Sequence, residues 1–421
     1  MILMKQIFKN EFIKNASTLV FGTLIAQGLP FLFYPILSRL YSPSQFGELS
    51  IILGIVPFVA IIGSGMYECA IPLVNSKQEA ALLASYTIRR CIIICGIMFI
   101  ILIMSLLLKE CYSLNLKISE SMVVLPFLGF FTVIINIYNE WCVSFKYFNK
   151  LSFNKIITTS FISIGKLFFG VIKFFQYGLI IGDTIGKLFA ALFAANRAYK
   201  FDKIYFKKVK KLDFLKLKLK YSNMSFFLLI DQVLNNIGGS MHLLFFGLYF
   251  NKAEIGYVAM SLTILTAPIT VISGSIKDVF RQKANIEYIN TGNCRNTYSR
   301  LFLPILIFGF LFFLILYYLV PTLFFIILGE KWQISGRYSQ ILMPMFFTNF
   351  VSMSLGGVLV IANRANVSMY WQVFNIILSV IGLLTGICIL NTMEGTLFCF
   401  MIARSISYIS YSIISYHFAK K

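Results

Sequence analysis

Residues 198–222 read AYKFDKIYFKKVKKLDFLKLKLKYS, and this stretch divides the chain into two similar halves. It holds nine lysines and two aspartates, and it lies at the midpoint of a sequence of 421 residues. On both sides the sequence consists of long apolar runs joined by short polar turns. The organisation of the whole chain therefore follows from how these runs are arranged around one basic segment.

The apolar runs predict twelve membrane-spanning helices, since a spanning helix needs about 20 apolar residues. Runs of suitable length occur at 16–38, 48–74, 81–108, 120–139, 154–172, 178–197, 224–248, 254–276, 301–328, 338–361, 366–390 and 395–418. The chain is 58% hydrophobic and 13% charged, whereas soluble domains carry about 25% charged residues. We therefore expect an all-α integral membrane protein that passes the membrane many times.

Lysine and arginine are distributed unequally between alternate loops. With the N-terminus in the cytoplasm, and with Lys155 and Arg197 at the span ends counted with the adjoining loops, 25 of the 37 Lys and Arg residues fall on the cytoplasmic side, 7 on the opposite side and 5 inside spans. Cytoplasmic loops of membrane proteins carry such an excess, so both termini are predicted to be cytoplasmic. The net charge of +21 then lies mostly in cytoplasmic loops, which contact anionic lipid headgroups. No nucleic-acid partner is expected.

The two halves repeat each other weakly. Asn223-Met-Ser225 matches Asn15-Ala-Ser17 at an offset of 208. After one inserted residue, Gly256 matches Gly47, and Ser273-Gly274 matches Ser64-Gly65, at an offset of 209. Each half has an even number of spans, so both enter the membrane in the same direction, as in parallel repeats related by an axis along the membrane normal.

We predict an N-lobe of residues 1–197, a basic cytoplasmic linker of residues 198–222 and a C-lobe of residues 223–421. The two six-helix lobes would be related by a pseudo-two-fold axis, with a substrate cleft between them. The apolar residues between the lysines of the linker suit an amphipathic helix on the inner leaflet. A solvated charged linker is the alternative.

Ionisable residues inside spans mark the candidate functional positions. A charge at mid-bilayer costs at least about 2.5 kcal/mol, so it persists where it faces a wet cavity or a partner. The candidates are Glu68, Arg89, Arg90, Lys166, Asp183, Lys187, Asp231, His242 and Arg404. Most are basic, and a basic cavity suits an anionic substrate such as a phosphate or an acidic sugar.

Several of these cations also have structural explanations. Arg89 and Arg90 could snorkel to the cytoplasmic surface. Asp183 and Lys187 are four residues apart and could neutralise each other. Lys166 lies mid-span with no acid within a turn of its own helix, which favours a cavity.

A polar stripe runs along the seventh span. Asp231, Asn235 and His242 share one helical face, which predicts that the face points to the protein interior. A desolvated carboxylate can exchange a proton near neutral pH, so Asp231 is the preferred candidate for ion coupling.

Enzyme and metal-site signatures are absent from the sequence. There is no P-loop and no H-E-x-x-H motif, the outer loops are short, and none of the eight cysteines forms a C-x-x-C pair. We expect a transporter with no cofactor and no metal. Gly178, Gly182 and Gly186 form a G-x-x-x-G-x-x-x-G face on span six, which predicts close helix packing.

Three motifs resemble the polysaccharide biosynthesis, or Wzx-type, flippases. Residues 36–47, ILSRLYSPSQFG, resemble their LTRLYSPEEFG signature, and Gly178-Leu-Ile-Ile-Gly182 resembles their GLIIG. Residues 65–73, GMYECAIPL, resemble their LRYELAIPLP element, with Cys69 where the family usually has Leu. The resemblance implies a MATE-like fold, in the superfamily of drug/sodium antiporters and lipid II flippases.

The resemblance also implies a function. A flippase of this kind moves an O-antigen repeat unit, linked to undecaprenyl pyrophosphate, from the cytoplasmic to the periplasmic leaflet of the bacterial inner membrane. Alternating access, a proton or sodium as coupling ion, membrane lipids, the polysaccharide polymerase and the chain-length machinery belong to this interpretation. The alternatives are a cation-coupled multidrug exporter of the same fold, or a membrane-embedded polysaccharide polymerase or glycosyltransferase.

Candidate residues divide into two sets on this interpretation. The cations expected to bind the substrate are Lys166, Lys187, Arg404, Arg89, Arg90 and Arg39. The residues expected to couple or gate the ion are Asp231, Glu68, Asp183 and His242.

Overall fold

The computed structural model describes residues 2–74, 76–112, 119–172, 177–207, 212–362 and 364–420. Within these ranges every regular element is a helix. The long helices are α1 (Ile2–Leu40), α2 (Pro43–Ser64), α3 (Lys77–Tyr112), α4 (Leu125–Ser144), α5 (Phe148–Val171), α6 (Gly178–Lys207), α7 (Leu212–Tyr249), α8 (Lys252–Thr291), α9 (Arg295–Leu328), α10 (Gln333–Ser354), α12 (Ala365–Thr385) and α13 (Met393–Lys420); α11 (Val358–Ile361) is short. Each predicted span corresponds mainly to one long helix, so the all-α prediction is confirmed, with twelve long helices in the described ranges.

Ten helical segments of the described chain are long and apolar enough to cross a membrane. The two long helices outside this set are α5 and α7, which carry lysines and other polar residues along their length. A polar spanning helix needs protein or water beside it. The composition of α5 and α7 therefore indicates that a polar path runs beside these two helices.

The second predicted span is not one helix. α2 ends at Ser64, and the chain continues after Gly65 and Met66 as a 3₁₀-helix, Tyr67–Leu73. Gly65 and Met66 both adopt left-handed backbone conformations, with φ of 62° and 60°. Non-helical backbone at membrane depth occurs where it is buried in protein or lines a cavity, so this break indicates a special position.

The described chain divides into two compact units. The first unit comprises Met1–Tyr41 and Ile51–Asn236, and the second comprises Ser42–Ser50 and Ile237–Lys421. In the first unit α5 packs against α1 and α6; in the second, α10 packs against α8, α9 and α13. The division into lobes at the basic linker stays a prediction.

In the second unit the start of α2 meets the start of α8 through two glycines. A side chain at Gly47 would collide with the carbonyl group of Lys252, and a side chain at Gly256 would collide with the carbonyl group of Pro43. The offset of 209 that matches Gly47 with Gly256 also matches Pro43 with Lys252. The two contacts are therefore equivalent, as expected where a duplicated chain meets itself about a local two-fold axis.

The basic linker is not a separate helix in the described residues. α6 continues as far as Lys207, and α7 begins at Leu212. Residues 208–211 lie outside the described part of the chain. The predicted amphipathic surface helix is thus replaced, where the structure describes it, by the ends of two long helices.

Candidate functional site

Facing glycines bring α5 and α6 together in the first unit. A side chain at Gly182 would collide with the backbone of Gly165 and Lys166, and a side chain at Gly186 would collide with the backbone of α5. The glycine face predicted on the sixth span is therefore a packing surface. This close approach places Asp183 of α6 beside Lys166 of α5.

Lys166, Asp183 and Lys187 form what we call the lysine–aspartate cluster. The Nζ atom of Lys166 lies 2.7 Å from Oδ1 of Asp183. The Nζ atom of Lys187 lies 3.3 Å from Oδ2 of the same carboxylate, whose side chain is 2% exposed. One carboxylate serves two ammonium groups, so the cluster keeps a net positive charge within the unit. The acid partner of Lys166 is on the neighbouring helix, where the sequence of α5 alone could not reveal it.

α1 covers one side of this cluster. The hydroxyl group of Tyr41 donates a hydrogen bond to the carbonyl oxygen of Lys166, at 2.7 Å. Tyr34 lies close enough to Lys166 and Asp183 to interact with both charges. The end of α1 thus fixes the position of α5 beside the charged groups.

A second candidate site lies at the break in the second span. A cavity of about 740 Å³, the Arg90 cavity, is formed by the 3₁₀-helix, by α3 and by the start of the apolar part of α7. Its polar lining includes Tyr67, Tyr86, Arg89, Arg90, Ser222 and Asn223. Ile93, Ile94, Phe226 and Leu229 form an apolar side.

The left-handed turn at Gly65 shapes this cavity. The guanidinium group of Arg90 occupies the position that a side chain at Gly65 would need. The same guanidinium lies 5.7 Å from the centre of the Tyr67 ring, and the carbonyl oxygen of Gly65 accepts a hydrogen bond from the hydroxyl group of Ser225. The break therefore fixes Arg90 and joins α7 to the end of the second span.

Glu68 is buried behind Arg90. Its side chain is 4% exposed, and its Oε1 atom accepts a hydrogen bond of 2.9 Å from the hydroxyl group of Ser64. Its Oε2 atom has no hydrogen-bond partner among the described residues. Arg90 interacts electrostatically with Glu68 but forms no ion pair with any carboxylate in the described ranges.

The other predicted cations and acids lie elsewhere. Arg404 stacks against Phe400 and Tyr408 in the second unit, with its guanidinium carbon 5.7 Å and 5.3 Å from the two ring centres. His242 is buried in the same unit, 5.4 Å from the Phe400 ring centre, and interacts electrostatically with Arg404. Arg39 is exposed in the last turn of α1.

The predicted polar stripe of α7 is divided between two environments. Asp231 and Asn235 are exposed and belong to the first unit, whereas His242 is buried and belongs to the second. Asp231 has no ion-pair partner among the residues that the structure describes. The structure therefore does not bring the stripe together as one interior site.

Some cavity residues were missed as functional candidates. Tyr67 lies within a motif that was used for the family resemblance alone, and Asn223 and Ser225 appeared in the sequence comparison as part of the internal repeat. Tyr86 gave no signal, because an aromatic residue in an apolar span is ordinary.

The sequence model described as polysaccharide biosynthesis protein matches residues 12–280, which is more than half of the chain. The chain belongs to this family. The resemblance inferred from the three motifs is thus confirmed, and a search of curated protein sequences finds no significant match.

The fold is shared with transporters of known structure. An inward-facing multidrug resistance MATE family transporter of the MOP superfamily superposes with a TM-score of 0.65 at 13% identity, covering 92% of this chain and 93% of that chain. A MATE structure in complex with MaL6 superposes with a TM-score of 0.56 at 14% identity, covering 96% of this chain and 95% of that chain. A mutant of the Vibrio cholerae MATE transporter VcmN superposes with a TM-score of 0.51 at 13% identity, covering 97% of this chain and 96% of that chain. The MATE-like fold predicted from the sequence is confirmed, and the protein is a multi-pass membrane protein of a transporter fold.

Proposed function

We propose that this protein is a flippase for oligosaccharide linked to undecaprenyl pyrophosphate. It would move an O-antigen-type repeat unit from the cytoplasmic to the periplasmic leaflet of the bacterial inner membrane by ion-coupled alternating access. The observation that carries the proposal is the net-positive lysine–aspartate cluster inside a MATE-like fold, in a chain of the polysaccharide biosynthesis family.

The physical problem is the headgroup. A pyrophosphate and its sugars cannot cross the bilayer unaided, because charged and polar groups lose their water without gaining other partners. Ammonium and guanidinium groups held within the protein replace part of that water. The isoprenoid tail needs no such path, because it remains dissolved in the lipid.

A multidrug exporter of the same fold is the main rival, and it would bind cations. A site for cationic drugs would carry more carboxylates than cations. In the first unit the only carboxylate of the lysine–aspartate cluster, Asp183, already contacts two lysines, and the Arg90 cavity is lined by two arginines. These charges favour an anionic substrate.

Ion coupling is assigned to Asp231 within this proposal. Its carboxylate is exposed on α7, one of the two polar long helices, and no described residue neutralises it. Asp231→Asn should reach normal membrane abundance and lose flipping. Flux equal to that of the unaltered protein would exclude Asp231 from coupling a proton or sodium.

Orientation is part of the proposal. Both termini and the basic linker would be cytoplasmic, as the distribution of basic residues indicates. Reporter fusions at Lys210 and Lys421 should give cytoplasmic signals, and a fusion at Lys331 a periplasmic signal. A periplasmic signal at Lys210 would contradict this topology.

Deletion of the gene tests the function in cells. Surface polysaccharide should disappear, and lipid-linked repeat units should accumulate on the cytoplasmic leaflet, because the polymerase and chain-length machinery act on the far side. Drug susceptibility should stay unchanged. Unchanged polysaccharide together with increased drug susceptibility would favour the multidrug exporter.

A further inference from the structure

We propose that the Arg90 cavity binds the diphosphate group of the polyprenyl carrier, at a site separate from the lysine–aspartate cluster. This inference rests on the proposed function and assigns one part of the substrate to one cavity. The chemistry that the cavity recognises is a phosphate group attached to a long apolar chain.

Arg90 is suited to a phosphate ligand. Its planar guanidinium presents several N–H donors that match two phosphate oxygens at once. The Tyr67 ring and the space left by Gly65 already hold it in place, so little conformational freedom is lost on binding. No described carboxylate forms an ion pair with it, and it lines the cavity.

The rest of the polar lining adds hydrogen-bonding groups. The side-chain amide of Asn223 comes from α7. The Ser222 hydroxyl, also on the lining, donates to the carbonyl oxygen of Leu219 and can accept a hydrogen bond through its oxygen. Arg89 is exposed next to Arg90 and adds a second positive charge. A diphosphate, with more oxygens than one arginine can satisfy, fits this mixture better than a carboxylate does.

The apolar side of the cavity gives the isoprenoid chain a way out. Ile93 and Phe226 line the cavity and are also 62% and 59% exposed. The apolar surface continues along both helices through Ile97 and Phe227, which are 54% and 70% exposed. A chain attached to a bound diphosphate would therefore leave over these apolar side chains of α3 and α7.

The position of the cavity suits loading from one leaflet. The starts of α3 and α7 are joined by an ion pair of 2.6 Å between Glu79 and Lys220. Arg90 lies roughly 20 Å along α3 from its first residue, at 1.5 Å per residue. The distribution of basic residues places the starts of α3 and α7 on the cytoplasmic side, and the cavity lies inward from these helix starts. Under the proposed function, the carrier receives its sugars on that side.

Substitutions of Glu68 and Arg90 are expected to change diphosphate affinity in opposite directions. In its ionised form, the buried carboxylate of Glu68 partly balances the charge of Arg90 when the cavity is empty. When a diphosphate is bound, the same carboxylate repels the ligand. Removing its charge should therefore strengthen binding, whereas removing Arg90 should weaken it.

The test uses the full-length protein in nanodiscs of phosphatidylcholine, with radiolabelled geranylgeranyl diphosphate as the ligand and geranylgeraniol as the uncharged control. Arg90→Gln should weaken diphosphate binding by about tenfold, because hydrogen bonds to charged groups are among the strongest. Arg90→Lys should fall between, and Glu68→Gln should bind several-fold more tightly. Arg197→Gln is the matched control, since Arg197 also stacks on aromatic rings of the first unit, Phe153 and Phe193.

Four outcomes decide between the readings. Opposite shifts for Arg90→Gln and Glu68→Gln, with Arg197→Gln unchanged, support the cavity. Equal diphosphate affinity for Arg90→Gln and the unaltered protein overturns the cavity and leaves the proposed function standing. An unaltered protein that does not prefer the diphosphate to the alcohol contradicts the proposed function itself. Loss of binding when phosphatidylglycerol replaces phosphatidylcholine would assign the cavity to bulk phospholipid headgroups and overturn the inference.

Discussion

The lysine–aspartate cluster and the Arg90 cavity lie in the same compact unit, and they hold their cations in opposite ways. Lys166 and Lys187 share a buried carboxylate at 2.7 and 3.3 Å, between helices that glycines bring into close contact. Arg90 is held by an aromatic ring and a left-handed turn, and it faces a cavity without a paired acid. The presence of a charged residue within a span therefore does not by itself identify a functional site. Its partner and the space beside it determine what it does.

This contrast has an energetic side. A buried ion pair becomes costly when one member is removed, because the other charge is left without a partner. Removing a cation that faces a cavity eliminates its contacts with the ligand and changes the fold little. Substitutions in the cluster should therefore lower protein stability, and substitutions in the cavity should lower transport.

The largest effect is expected for Asp183→Ala. Two ammonium groups would then face each other between α5 and α6, and breaking a buried pair in this way costs about 3–5 kcal/mol. Membrane abundance and the melting temperature of the purified protein should both fall strongly. The double variant Asp183→Ala, Lys166→Met should recover only part of the abundance, because Lys187 still lacks its carboxylate, and it should not recover transport. Normal abundance of Asp183→Ala would show that the cluster is hydrated, and it would remove the contrast.

Gly65→Ala should abolish transport with a smaller loss of stability. The left-handed conformation costs a non-glycine residue about 1–2 kcal/mol, and the new methyl group would displace the Arg90 guanidinium. The matched control is Gly96→Ala on α3, where an added methyl group meets open space. Surface polysaccharide in a flippase-deficient strain, with membrane abundance measured in parallel, is the readout. Full complementation by Gly65→Ala would mean that the position of Arg90 is unimportant.

The smallest effect is expected from a comparison within the cluster. Lys166 makes the shorter contact with Asp183 and Lys187 the longer one, so Lys166→Ala should reduce surface polysaccharide more than Lys187→Ala. Both leave one lysine paired with the carboxylate, so abundance should fall much less than in Asp183→Ala. Lys166→Arg should be milder than Lys166→Ala, since it keeps the charge. The reverse order of the two alanine variants would contradict the assignment of Lys166 as the principal partner.

Much of the fold follows from local sequence properties. Apolar run length predicts the twelve long helices, because a spanning segment must satisfy its own backbone and match the bilayer. The internal repeat predicts the matched pair Gly47 and Gly256, and the structure places these two residues in contact. The glycine face of α6 likewise predicts its packing, because small residues at that spacing allow helices to approach closely.

The candidate sites are predicted less well, for two physical reasons. The run 48–74 is apolar enough over its length to be predicted as one span, so hydropathy does not register the two left-handed residues that break it. The Lys166–Asp183 pair joins different helices, and the Arg90 cavity combines three segments that are distant in sequence. Side-chain partners of this kind depend on helix rotation and register, which apolar run length leaves undetermined.

The central claim is that this protein moves a diphosphate-linked oligosaccharide between leaflets, and reconstitution tests it most directly. Proteoliposomes containing undecaprenyl-pyrophosphate-linked repeat unit in both leaflets would be treated with a membrane-impermeant enzyme that cleaves the sugar. With the unaltered protein and an imposed proton or sodium gradient, the enzyme should reach repeat units that began in the inner leaflet. With Arg90→Gln, cleavage of the inner-leaflet repeat units should be markedly slower over the same period. If the unaltered protein also leaves the inner-leaflet fraction intact under either gradient, the protein does not move the diphosphate-linked repeat unit between leaflets.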